Sequence, residues 1–126
     1  MNLNKIFLTF VFSIILSSCA DYKVEKQKKH FYSSKGFVLI FEDDLYVQKI
    51  VNKKINNKEL QTMHDILKTN TPIKIINPEN SKFVETKIYK RANYPKIFNI
   101  VISQKIASIL ELDQNNPYVE IYEIKI

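Results

Sequence analysis

Apolar residues fall in short runs separated by polar turns, and most of the runs have the period of a strand. Residues 36–41 (GFVLIF) are a continuous apolar run, the pattern of a buried strand, and Glu42, Asp43 and Asp44 end it in a solvated turn. Over residues 71–77, Ile73, Ile75 and Ile76 predict another strand, followed by the turn-forming Asn77-Pro78-Glu79-Asn80. Residues 82–89 then alternate, with Val84, Thr86 and Ile88 on one face and Phe83, Glu85 and Lys87 on the other, so the two runs form a hairpin. Residues 97–102 are a further apolar strand. Ser103 caps a short helix over residues 104–110, with Ile106, Ile109 and Leu110 facing inward. Asn115-Asn116-Pro117 turns the chain into a last strand over residues 118–126. One segment has a different period. Over residues 56–68, Leu60, Met63 and Leu67 fall at i, i+3 and i+7, and Ile66 widens the stripe. Asn56 with Glu59 has the form of a capping box, so a helix is expected there, with His64 beside its stripe. Short strands, turns and one or two brief helices indicate a mainly β, barrel-like domain.

The first residues follow another logic. Residues 1–19 read MNLNKIFLTFVFSIILSSC, with Lys5 ahead of an apolar run from Ile6 to Leu16. That run is far short of the roughly 20 residues a membrane span takes, and it has the form of an export signal. Leu16-Ser17-Ser18-Cys19 resembles the bacterial lipobox, which implies cleavage before Cys19 and acylation of that residue. The alternative is a signal peptide cut after Ser18 that leaves a cysteine by chance. Cys19 is the only cysteine, and a lipid on it accounts for the unpaired thiol. Two acyl chains suffice for stable anchoring without a membrane-spanning helix. In the sorting rule of such lipoproteins an Asp directly after the cysteine favours the inner membrane. Ala20 stands there instead, with Asp21 next, so the periplasmic face of the outer membrane is expected. Three segments follow: a signal peptide over residues 1–18, a lipidated lysine-rich tether over residues 19–32, and a domain over residues 33–126.

Composition narrows the field further. A chain of 126 residues accommodates one compact domain. Its formal net charge of +6 comes from scattered lysines among acids, the pattern of a solvated surface, and export removes it from nucleic acid. Gly36 is the single glycine, so turns needing positive φ are expected to use Asn. Glu42 to Asp44 lack the alternating spacing of a calcium loop, and two histidines with one lipidated cysteine make no metal site; no cofactor is expected.

The order of elements in the domain resembles the double-psi β-barrel of the rare lipoprotein A family of bacterial envelope lipoproteins. The family's opening Gly-x-Ala-Ser-x-Tyr strand is similar to residues 36–41. Its Ala-Ala-His followed by Leu-Pro-x-Gly-Thr matches Thr62-Met63-His64, then Leu67, Asn70 and Thr71. Its Val-x-Val-x-Asn strand matches Ile73 to Asn77 loosely, and its next Asn-Gly turn is replaced by Asn80-Ser81. The late Asp-Leu-Ser and Leu-Gly-Leu patterns fall on Val101-Ile102-Ser103 and Leu110-Glu111-Leu112. The resemblance implies a six-stranded barrel. It also implies a lytic transglycosylase acting on glycan strands of peptidoglycan stripped of stem peptides.

The acids of that family are replaced here. Two that precede the histidine fall on Lys53 and Asn56, the Asp of an Asp-Arg-Gly-Pro loop falls on Lys90, and the Asp of Asp-Leu-Ser falls on Val101. His64, the chain's only arginine Arg91, and Ser103 remain. Glycoside cleavage needs proton transfer, normally by carboxylates, and neither an ammonium group nor a valine supplies it readily. The expected function is therefore a lipid-anchored barrel that binds peptidoglycan glycan or an envelope protein partner, its catalytic acids lost. Lys53, His64, Lys90, Arg91, Asn93 and Tyr94 would line the groove, with Tyr94 stacking on a sugar and the cations meeting hydroxyls and muramyl carboxylates. The alternative is an active lytic transglycosylase using His64 and an acid outside the family positions, for which Glu79, Glu85 and the Glu42 to Asp44 cluster are candidates.

Overall fold

The computed structural model describes residues 31–125; the signal peptide and Cys19 lie outside the described residues, as does most of the tether. The described chain forms β1 (Ser33–Ile40), α1 (Asp43–Val47), β2 (Thr62–His64), β3 (Pro72–Ile76), β4 (Phe83–Lys87), β5 (Lys90–Arg91), β6 (Phe98–Ile102), α2 (Gln104–Ile109) and β7 (Tyr118–Glu123). All the strands join one sheet in the order β4-β3-β7-β1-β6-β2-β5. β1 is central, antiparallel to β7 and parallel to β6. β2 runs antiparallel to β6 and parallel to β5, and the β3–β4 hairpin joins through β3 to β7.

The two edge strands, β4 and β5, are successive parts of one run of chain. Ile88 N–H still donates to Thr71 O at 2.9 Å on the β3 side, and Tyr89 N–H donates to Thr62 O at 3.0 Å on the β2 side. That run therefore passes from one end of the sheet to the other, and the sheet curls into a barrel-like shape. The fold is mainly β with two short helices among the described residues, as the strand periods predict.

Alternation along the strands sorts side chains into two apolar clusters. Val38, Ile100, Ile102, Val119, Ile121, Ile73 and Ile75 enter the first, inside the curl, where α2 adds Ile106. Phe41, Met63 and Val101 point the other way and meet Val51, Ile55, Ala92 and Tyr94 in the second. The segment after β1 thus covers the outer face of β1, β2 and β6. β1 and β6 slip register between Phe37 and Val38, which makes Asn99 an extra residue directly over Gly36. A Cβ on Gly36 would lie 2.7 Å from Asn99 Nδ2. The lone glycine is kept by this close approach and not by a turn.

Several expectations are corrected. The sheet has seven strands among the described residues, where the resemblance implies six. Residues 56–68 contain no helix. Leu60 is 39% exposed and Ile66 62% exposed, Met63 lies in the second cluster, and Leu67 packs against the first. Helix propensity differs by only a few tenths of a kcal/mol per residue, whereas burying Met63 in the sheet contributes about 2 kcal/mol, so pairing decides. Asn56 caps a local turn instead, its Oδ1 accepting from Lys58 N–H at 2.9 Å. After Glu42 the chain forms α1 and not a bare turn, with Asp43 and Asp44 in the first turn, where acids suit the helix dipole. Elsewhere the expectations hold at β3, β4 and β6, and at α2, where Ser103 Oγ accepts from Ile106 N–H at 3.3 Å. Ile109, expected inward, is 42% exposed.

Positive φ occurs at Lys49 (61°), Asn70 (70°), Ser81 (65°) and Glu111 (51°). Asn serves one of these turns, and Lys, Ser and Glu take the others.

Candidate functional site

β2 ends at His64, and Asp65 follows it directly at the end of the strand. His64 is fully buried, on the inner face of β2 with Thr62, while Met63 between them faces out. Its Nδ1 accepts from the backbone N–H groups of Ile66 and Leu67, each at 3.0 Å. A nitrogen accepting two N–H groups carries no proton of its own, so the neutral ring is protonated at Nε2 and donates to Tyr32 Oη at 3.1 Å. Tyr32 and His64 also meet edge to face at 5.0 Å between ring centres. Tyr32 is itself fixed in the fold, with its N–H on Glu123 Oε1 at 3.1 Å. The tautomer of His64 is thus set by its surroundings, although the sequence offers no obvious partner for it. Burial pushes the imidazole pKa down, opposed in part by the nearby Asp65 carboxylate. Asp65 Oδ1 lies 3.5 Å from Nδ1, and the two become a salt bridge when the ring is protonated.

Asp65 is half-buried at the edge of a depression of about 250 Å³ lined also by Asn52, Arg91, Ala92 and Asn93. Tyr94 Oη lies 3.3 Å from Asp65 Oδ1, accepts from Asp65 N–H at 3.1 Å, and reaches Asn99 O at 3.1 Å. Desolvation, with the Asp65 charge beside it, holds the Tyr94 phenol well above its ordinary pKa. Arg91 Nε points at Asp65 O from 3.5 Å. Asn52 and Asn93 clamp the depression: Asn93 N–H donates to Asn52 Oδ1 at 2.8 Å and Asn52 N–H to Asn93 O at 3.3 Å.

Of the residues expected to line a groove, Arg91 and Asn93 do so here. His64 and Tyr94 stand behind Asp65, and Tyr94, 8% exposed, offers no face for a sugar to stack on. Lys53 is exposed on the loop before β2 and does not line the depression. Lys90 is half-buried with Nζ 5.4 Å from the centre of the Tyr89 ring. Glu79 and Glu85 are exposed on the β3–β4 hairpin, and neither they nor Glu42 line the depression. Val101, where the resemblance expects an acid, is fully buried in the second apolar cluster.

Asp65 and Asn52 are the residues that sequence reasoning missed. The signal for Asp65 was its place next to His64, hidden by reading that segment as a helix. Chemically, the site offers one carboxylate, one guanidinium and amide groups around a small polar concavity. Among the described residues no group of three or more His, Cys, Asp or Glu side chains is placed to hold a metal ion. No helix among them is long and apolar enough to cross a membrane.

No family model matches the chain. No curated protein matches it either.

Proposed function

We propose that this is a double-psi β-barrel of the rare lipoprotein A type, acting as a lytic transglycosylase on stem-stripped peptidoglycan. Asp65 serves as the acid that replaces the family's own. The observation that carries the activity is the convergence of Asp65 with Arg91 and Asn93 on one depression, with the Tyr94 hydroxyl against the Asp65 carboxylate from behind. Asp65 donates a proton to the glycosidic oxygen as its bond to C1 breaks. The sugar's 6-hydroxyl then attacks C1, and the same carboxylate takes the hydroxyl proton, leaving a 1,6-anhydro end with no water consumed. Arg91 and Asn93 hold sugar hydroxyls or a muramyl carboxylate in register with that step. His64 is buried and acts through the backbone, its Nδ1 holding the N–H groups of Ile66 and Leu67 that follow Asp65.

The family reading has separate support in the backbone. Asn70, Ser81 and Glu111, three residues with positive φ, stand where the matching motifs of the family have glycine. Side chains there cost roughly 1 kcal/mol each, so such turns persist only where the fold dictates them. In the same reading the export signal and Cys19 anchor the domain in the envelope, at the periplasmic face of the outer membrane.

A second reading is a glycan-binding barrel without turnover, favoured by the burial of Val101 in an apolar cluster where the family carries an acid. Incubating the mature protein with stem-stripped sacculi separates the two. Release of fragments ending in 1,6-anhydro sugar supports the enzyme, co-sedimentation without release supports the binder, and neither result leaves both readings without a substrate.

A further inference from the structure

A second, larger concavity of about 610 Å³ lies away from Asp65, between the end of β1, α2 and residues 111–117. The sheet is incomplete along its floor. β7 accompanies β1 only to the Phe37–Tyr118 pair, and one more bond, Val38 N–H to Pro117 O at 2.9 Å, ends the contact. Backbone groups alternate in direction along a strand, so the N–H and C=O of Ile40 point the same way as those of Val38. On that side no strand of the described residues pairs with Leu39 or Ile40. The opposite side is satisfied by β6, where Phe41 N–H donates to Ile102 O at 2.9 Å.

The surroundings of this free edge are apolar and acidic. Val38, Ile40, Phe98, Ala107, Leu112 and Pro117 supply the apolar surface, and Ser108 of α2 joins them. Glu42 and Glu111 also line the concavity and no lysine or arginine does, although the whole chain has a formal net charge of +6. Lys82 Nζ holds Glu111 Oε1 at 2.9 Å. Glu42 has no cation within ion-pair distance among the described residues.

We propose that this groove takes up an extended polypeptide segment of a partner protein, which adds to the free edge of β1 as a strand and sets a lysine or arginine against Glu42. Strand addition fits because main-chain hydrogen bonds to Ile40 supply affinity while alternate side chains enter the apolar floor or face outward. Charge complementarity selects a basic segment over an acidic one. The surface is separate from the Asp65 depression, so the inference stands whether or not the protein turns over glycan.

The test is a titration of the isotope-labelled mature chain with a blocked heptapeptide alternating valine and lysine, followed by amide NMR. Shifts are expected at Val38 to Ile40 and along α2, with slowed exchange of the Ile40 N–H. The counterpart with glutamate for lysine binds about threefold more weakly or worse, as one exposed charge pair would give. Glu42→Lys reverses that preference, and Ser108→Arg, at an exposed position on α2, blocks binding while the spectrum elsewhere is kept. Absence of binding at millimolar peptide overturns the proposal. So do shifts centred on Asp65, unchanged exchange at Ile40, or equal binding of the two peptides.

Discussion

His64 illustrates how burial and local hydrogen bonds assign a role to one side chain. Its folded-state pKa lies below the usual 6.5, chiefly through desolvation. The unfolded chain therefore takes up the proton first as pH falls, and the native state loses stability from about pH 7 towards its own lower pKa. Urea unfolding at several pH values should show this loss. In His64→Asn, which keeps an acceptor near Nδ1 but cannot titrate, the slope should flatten. An unchanged slope would mean that His64 is not held neutral. Ser81 provides a second test at this scale, because its φ of 65° is one that side chains resist. Ser81→Gly should raise stability by about 0.5–1 kcal/mol in denaturant unfolding, against the usual direction for glycine. Arg91 stands out in the sequence as the only arginine, and it lines the depression. Asp65 does not stand out, because its importance comes from where a buried strand delivers it.

Elements with a strict period were legible, and those shaped by tertiary pairing were not. The β3–β4 hairpin follows from the alternation of Val84, Thr86 and Ile88 and from Asn77 and Asn80, whose side-chain amides both bond Leu110 O, at 2.9 and 3.0 Å. β2 was hidden because Leu60, Met63 and Leu67 have helical spacing by coincidence and end in three different environments. Ser103 shows an element boundary fixed by one hydroxyl: Oγ accepts from Ile106 N–H and donates to Glu59 O at 2.6 Å. Ser103→Ala should cost about 2 kcal/mol, since it removes the cap of α2 and leaves the Glu59 carbonyl short of a donor. Chemical denaturation measures it, and a loss under about 0.5 kcal/mol would show that the hydroxyl is dispensable.

For the molecule as a whole, the curled sheet divides the interior into a cluster inside and a second one under the segment after β1. The barrel-like outline could be read from strand periods and turn residues. The second cluster could not, because nothing local marks Val51, Ile55 and Val101 as neighbours. Placing an acid there, Val101→Asp, would bury a carboxylate without a partner and should destabilise the fold by at least about 3 kcal/mol. A thermal melt close to wild type would mean that the cluster opens readily to solvent. In the function proposed above, the chemistry falls on Asp65. The most direct measurement is the rate of 1,6-anhydro product release from stem-stripped sacculi by the wild type and by Asp65→Asn, an isosteric change that keeps a partner for Tyr94. The account predicts release by the wild type and a fall of about a hundredfold or more in the variant, with sacculus binding and unfolding midpoint retained. Equal rates in the two proteins, or no release by a wild type that binds, would contradict it.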